Sequence, residues 1–238
     1  MNAGPDRGQA CDRGQWYDRG LALFAVGGLI LLVALTVAVG SGFAPVLQID
    51  AAVAAWAAAT GPQLVWWTPL WWVLSIVLGP WAWRLLAAAW GLWWLLRERG
   101  RPSWAGVPWL VGAVLAGGLV PLAVKAVVQR PRPLEALVPV TQTSYPSGHA
   151  FAITVAAVVA VLALGARLHR RGRILLGLLA AALVVLVCLA RVLLVVHNVS
   201  DVLAGCALGL VWLGLLRGLS LCWAPGPQAA VGSGTRRR

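Results

Sequence analysis

Residues 63–96 read QLVWWTPLWWVLSIVLGPWAWRLLAAAWGLWWLL. The stretch is apolar almost throughout, and the number of times it crosses a membrane sets the orientation of everything after it. It holds 34 residues, whereas two spans need about 20 each plus a turn. Gly79-Pro80 divides it, and proline is at home in the first turn of a helix. The first half, Gln63–Leu78, carries Pro69 and the tryptophans 66, 67, 71 and 72. Tryptophan concentrates where a membrane meets water, so this half is expected to lie in or near the interface. The second half, 80–96, is expected to cross.

Five further apolar runs are long enough to cross: 21–39, 107–128, 148–166, 174–192 and 202–216, the last extendable to Trp223. Hydrophobic residues make up 61% of the chain and charged ones 11%, against roughly a quarter charged in a soluble domain. The expectation is an all-α, six-transmembrane-helix bundle with interfacial helices between the first and second spans. Residues 1–20 read as a polar cytoplasmic tail, 21–222 as the membrane domain and 223–238 as a basic cytoplasmic tail, both tails disordered. The first apolar run reads as a retained span, with no cleavable signal peptide before it.

Charge supports six spans. Lys and Arg number 19 against 7 Asp and Glu, a net charge of +12. With the N-terminus inside, the arginines of 7–19, 97–101, 167–173 and 217–238 all fall on the cytoplasmic side, as the positive-inside rule requires. Seven spans would move every arginine-rich loop after residue 79 outside. The expected location is the plasma membrane, with several crossings and both termini cytoplasmic. The positive charge sits between apolar segments, without interleaved aromatics, which speaks against nucleic acid. Cys11, Cys188, Cys206 and Cys222 show no metal-ligand spacing and read as structural thiols.

Four outer cations are left without a topological role: Lys125, Arg130, Arg132 and Arg191. They fall in two short segments, and a third segment, which carries a histidine, belongs with them at the same outer surface. Lys125 to Pro133 reads KAVVQRPRP, residues 145–149 read YPSGH, and 190–201 read ARVLLVVHNVSD. The only lysine and two of the three histidines lie here. A cation near the end of an apolar helix is costly and commonly functional. Lys125, Arg132 and Arg191, with few carboxylates to match them, imply an anion. Ser147-Gly148 opens a helix, whose free N–H groups favour anions; Ser147 is expected either to cap that helix or to donate its hydroxyl to an oxyanion. His197 and Asp201 are spaced i, i+4, so Asp201 would orient one ring nitrogen and leave the other free to attack phosphorus. His149 is placed to protonate a leaving oxygen. Arg191 lies six residues before His197, poor helical phasing that predicts a break between them.

These segments resemble the signature of the type-2 phosphatidic acid phosphatase (lipid phosphate phosphatase) superfamily, which also includes class A acid phosphatases and vanadium haloperoxidases. The signature is K-x6-RP, then PSGH, then SR-x5-H-x3-D. Here it reads Lys125-x6-Arg132-Pro133, Pro146-Ser147-Gly148-His149, and Ala190-Arg191-x5-His197-x3-Asp201. Ala190 replaces the common serine, and Asn198 stands where an aromatic residue often sits. The resemblance implies a membrane lipid phosphatase acting at the outer face through a phosphohistidine on His197. It implies His149 as acid and base, with Lys125, Arg132, Ser147, Gly148 and Arg191 holding the phosphate. No metal or other cofactor is implied; the partners are a phosphorylated lipid substrate and membrane lipids.

Other readings stay open. A lipid phosphotransferase on the same fold would use an alcohol in place of water. A non-catalytic lipid binder or transporter would favour paired repeats and broken helices at mid-membrane, whereas these polar residues cluster at one surface. Arg130 has no place in the signature. It is expected to reach either headgroups or a second phosphate, the latter favouring a polyprenyl diphosphate over phosphatidic acid or phosphatidylglycerophosphate. Arg84 is expected to snorkel outward, and Glu135 and His169 to be solvated loop residues. Asn198-Val-Ser200 matches a glycosylation sequon but overlaps the candidate site.

The topology has a direct test. With native thiols replaced, a cysteine at Thr141 should react with an impermeant reagent on intact cells, and one at Arg171 only after permeabilisation. The opposite pattern would put the site on the cytoplasmic face.

Overall fold

The computed structural model describes residues 7–97, 107–165 and 167–222, and these are helical with no strands. Helix α1 spans Arg7–Gly40, α2 Ala44–Thr60, α3 Trp67–Val77, α4 Pro80–Arg97 and α5 Val107–Ala116. They are followed by α6 Leu119–Val128, α7 Gly148–Gly165, α8 Arg170–Leu193 and α9 Val199–Cys222. Six segments are long and apolar enough to cross a membrane: 19–40, 67–97, 111–128, 148–165, 170–193 and 199–220. The disorder expected of residues 1–20 needs correction from Arg7 on, because α1 begins there and residues 7–20 continue the helix. Residues 223–238 lie outside the described residues.

The centre of the bundle is α7 against α9. Both are buried along far more of their length than α1 or α8. Phe151, Val155 and Val159 of α7 meet Leu208 and Leu213 of α9, with Leu21 of α1 and Ala113 of α5 closing the cluster. Outward-facing Leu85, Leu178 and Leu215 each expose well over half of their surface, as a lipid-facing wall requires, since lipid tails are as apolar as leucine. Cys188 and Cys206 are free thiols whose sulfurs lie 3.6 Å apart between α8 and α9.

Three breaks shape one end of this bundle. The chain bends at Leu78-Gly79, where α3 gives way to α4 at Pro80. The run 107–128, read as one span, is two helices parted at Gly117-Gly118. Pro121 has no N–H to offer the carbonyl four residues back at Gly117, so the ladder fails there; Trp212 Nε1 donates to Ala113 O at 2.9 Å beside the gap. The third break, expected between Arg191 and His197, separates α8 from α9. Val195 turns the chain there with φ +56°, an uncommon and strained conformation for a β-branched residue. It is fully buried against Ala57 and Trp67, and Trp67 Nε1 donates to Leu193 O at 2.9 Å.

Helix α3 therefore does more than lie at an interface. It packs on α8 and buries Trp67 and Ser75.

Below the turn, α7 and α9 approach closely at Gly205. A Cβ there would fall 2.4 Å from Ser147 O and 3.0 Å from Ala150 Cβ. Gly205→Ala should destabilise the purified protein by about 1–3 kcal/mol, seen as a lower Tm, and push the start of α7 away from α9. Gly177→Ala on α8, where nothing lies within 4 Å, should be neutral or mildly stabilising.

Candidate active site

The end of α6, the start of α7, the end of α8, the turn before α9 and the bend between α3 and α4 line a cavity of about 600 Å³. Lys125, Arg132, Gly148, His149, Arg191 and His197 line it. The three signature segments, far apart in sequence, thus meet around one space. None of the lining residues is an aspartate or glutamate.

Each cation is held by neutral acceptors. Lys125, on the last turns of α6, donates to Thr143 O and, at 3.3 Å, to Ser144 O. Arg132 Nε donates to Gln142 O at 2.5 Å and its Nη1 to Val196 O. Arg191, at the end of α8, donates from Nη1 to Ser75 Oγ of α3. Carbonyls and hydroxyls orient a charge without neutralising it, so the positive field stays directed into the cavity.

His197 is 3% exposed and stands in the turn before α9 rather than on its helical face. Its Nε2 lies 3.3 Å from Arg132 Nη1. A guanidinium can only donate, so this contact makes Nε2 the nitrogen with the lone pair and leaves the proton on Nδ1. Nδ1 faces Asp201 Oδ2 at 3.7 Å, longer than a hydrogen bond. The expected His197–Asp201 pairing is thus present as an electrostatic contact and not as a closed bond. Burial pushes the His197 imidazole down to about 4 despite Asp201, and the charges of Arg191 and Arg132 add to this. The ring is neutral at pH 7.

Asp201 is the centre of a separate network behind the histidine. It is fully buried. Its Oδ1 accepts from Arg130 Nη1 at 2.7 Å, and its Oδ2 from Ser144 Oγ and from Asn198 N at 2.8 Å. The other side of Arg130 reaches Asp50 Oδ2 at 2.9 Å. Asp50 in turn accepts from Ser200 N at 3.0 Å and Ser200 Oγ at 2.5 Å. Burial works against the charge of Arg130, but Asp201 and Asp50 more than offset it and raise its pKa.

The two expectations for Arg130, headgroup contact and a second phosphate, are both corrected. Its guanidinium is committed to two buried carboxylates. A diphosphate preference loses the basis it had in this residue.

Of the two roles open to Ser147, helix cap and oxyanion donor, the structure shows the cap. Ser147 is buried outside the cavity wall; its Oγ accepts from Ala150 N at 3.5 Å as a helix cap, and its N–H donates to Asp201 O at 2.9 Å. Gly148 is the part of that turn that faces the cavity. Arg84, expected to snorkel, lines the cavity instead. Sequence reading missed Ser75, Asp50 and Ser144, each a lone polar residue in apolar or loop surroundings. Asp50 alone carried a signal, as a carboxylate inside the apolar run of α2.

A family model described as the PAP2 superfamily matches residues 106–221. Among solved structures, the chain is similar to the first transmembrane PAP2-type phosphatidylglycerolphosphate phosphatase from Bacillus subtilis. The TM-score is 0.69 at 24% identity, over 85% of this chain and 98% of that one. At that identity the likeness is one of fold. No curated protein sequence matches the chain.

Removing Arg130 leaves two buried carboxylates without a cation, which typically costs about 3–5 kcal/mol. Arg130→Ala should therefore lower Tm and reduce turnover on every lipid alike. A change in the ratio of diphosphate to monophosphate turnover, with Tm unaffected, would return Arg130 to the substrate.

Proposed function

The chain belongs to the PAP2 superfamily, and from that premise we propose that it is a membrane lipid phosphatase working through a phosphohistidine on His197. The observation that carries this reading is the contact of His197 Nε2 with Arg132. It leaves a neutral imidazole with its lone pair beside a cavity lined by three signature cations and no carboxylate.

The substrate phosphate sits among Lys125, Arg132, Arg191 and the backbone of Gly148. Nε2 of His197 attacks phosphorus as the bond to the leaving alcohol oxygen breaks, and His149, carrying a proton, gives it to that oxygen. The cations stabilise the charge that spreads over the equatorial oxygens. Water then enters, His149 takes its proton, and the hydroxide displaces His197 from phosphorus. Inorganic phosphate leaves and both histidines return to their starting state. Asp201 stabilises the Nδ1 proton of His197 as the ring becomes positive, closing its 3.7 Å gap.

The substrate is read as a lipid because the catalytic groups stand at the ends of membrane-spanning segments. Trp72, Ile76, Trp81 and Leu122 line the same cavity, and Trp72, Ile76 and Trp81 expose more than half of their surface. An apolar tail can stay in the bilayer beside them while its phosphate enters. The asymmetry of arginine along the chain supports placing the site at the outer face of the plasma membrane, with both termini inside.

His197→Ala should abolish phosphate release from lipid phosphates, while Asp201→Asn should retain a fraction. Vanadate, which mimics five-coordinate phosphorus, should inhibit, and turnover should persist in chelator. Neutral His197 is the active form, so kcat/KM should fall as pH drops towards about 4. Arg132 is one of the charges holding that value down, so Arg132→Gln should move the acid limb to higher pH besides lowering kcat/KM. Substantial phosphatase activity in the His197→Ala protein would overturn the assignment.

A further inference from the structure

One more cation reaches the cavity, and the signature does not contain it. Arg84 lies on the second turn of α4 and is half-buried. Its guanidinium passes over Gly118, at the break between α5 and α6. A Cβ on Gly118 would fall 2.1 Å from Nη2 and 2.8 Å from Cζ, so any larger residue there would push the guanidinium aside. Cζ stands 5.2 Å from the centre of the Trp81 ring, a cation–π contact. These contacts place the guanidinium over Gly118 and beside the Trp81 ring. They supply no hydrogen-bond acceptor for any of its five N–H donors, and among the described residues Arg84 has no hydrogen-bond or ion-pair partner.

A charge at this depth in a membrane protein pairs with an opposite charge or faces a wet cavity. Arg84 faces a cavity that holds only cations and neutral groups. Its natural complement is an anion carried in by the ligand. The position says which part of the ligand. Gly118 precedes Lys125 by seven residues, about 10 Å along the helix axis at 1.5 Å per residue, in the direction away from the end of α6 that bears the site. Arg84 therefore meets the substrate on the tail side of the phosphate that His197 attacks. A phosphate joined directly to the scissile one would remain within the Lys125, Arg132 and Arg191 cluster. One separated from it by a short spacer reaches Arg84.

Resting on the phosphatase reading above, we propose that Arg84 binds a second anionic group of the substrate. That substrate is a phospholipid with a backbone phosphodiester and, beyond a short polyol, a terminal phosphomonoester that is removed. Arg84 is then a specificity-determining residue, and Gly118 is the residue that makes room for it.

The test uses the full-length protein in mixed micelles and phosphate release from three lipids. Phosphatidylglycerophosphate carries both groups across a glycerol spacer, phosphatidic acid carries only the monoester, and a polyprenyl diphosphate carries two phosphates directly joined. Wild type should turn over the first with the highest kcat/KM. Arg84→Gln should lower the ratio of kcat/KM for phosphatidylglycerophosphate over phosphatidic acid on the order of 10- to 100-fold, chiefly through KM, as loss of a charge-assisted contact does. Arg84→Lys should recover part of the ratio. Gly118→Ala, which keeps the charge but displaces it, should lower the ratio as well and serves if the Arg84 variants fold poorly. Equal losses on both lipids, or an unchanged ratio in folded protein, would overturn the proposal. A wild-type preference for the diphosphate that Arg84→Gln removes would overturn the spacer. Release from none of the three lipids by wild type would instead overturn the phosphatase reading itself.

Discussion

Asp201 ties together four parts of the chain that would otherwise be free to drift. It takes Arg130 from the segment after α6, Ser144 from the segment before α7, and the Asn198 amide from the turn before α9. Its backbone carbonyl takes Ser147 N–H at the start of α7. A buried carboxylate is tolerable only when its lone pairs and its charge are both met. Each of these contacts is therefore a condition on the others. Asp50 extends the network from α2 and reaches Ser200 at the first turn of α9. The placement of His197, four residues before Asp201, is a consequence of this knot.

The knot also explains how the cavity keeps its charge. The end of the bundle carries acidic as well as basic groups, and had they mixed, the site cations would have been neutralised from within. Arg130 takes both buried carboxylates for itself. Lys125, Arg132 and Arg191 are left to carbonyls and one hydroxyl. Structural charge and binding charge are sorted into separate layers a few residues apart. An arginine two positions from Arg132 thus has a role unlike that of Arg132, although the sequence gives the pair the same appearance.

That pair marks the boundary of what was legible. Apolar runs, the Gly79-Pro80 division and the break before His197 follow from local rules on length, proline and helical phasing, and the fold agrees with them. The three signature segments could be read because their spacing is itself the constraint. The roles of Ser75, Asp50 and Ser144 could not, since each is defined by a partner more than fifty residues away in sequence. Arg130 and Arg84 were misread for the same reason: an arginine's function depends on what it faces, and the facing element is a tertiary fact. Ser147 shows a subtler limit. Its position at a helix start was readable, but whether its hydroxyl turns to the helix or to the cavity depends on how α7 seats against Asp201.

The breaks at Gly79 and Gly117-Gly118 share a physical meaning. Continuous helices at these places would close against α7 and fill the space over its first turns. Gly79 lies beside His149, where a Cβ would sit 3.6 Å from Nε2. Gly117 lies beside Phe151 of the next turn, and Gly118 beneath Arg84. The two interruptions thus open α3–α4 and α5–α6 on the same side of α7. The polar lining of the cavity comes from Lys125, Arg132, His149, Arg191 and His197, and its apolar lining largely from the broken pairs. A headgroup needs the first and an acyl or prenyl tail needs the second. Helix breaks that cost backbone hydrogen bonds are tolerated in a membrane only where they are buried in protein or line a cavity, and here Gly79 and Gly118 both line one.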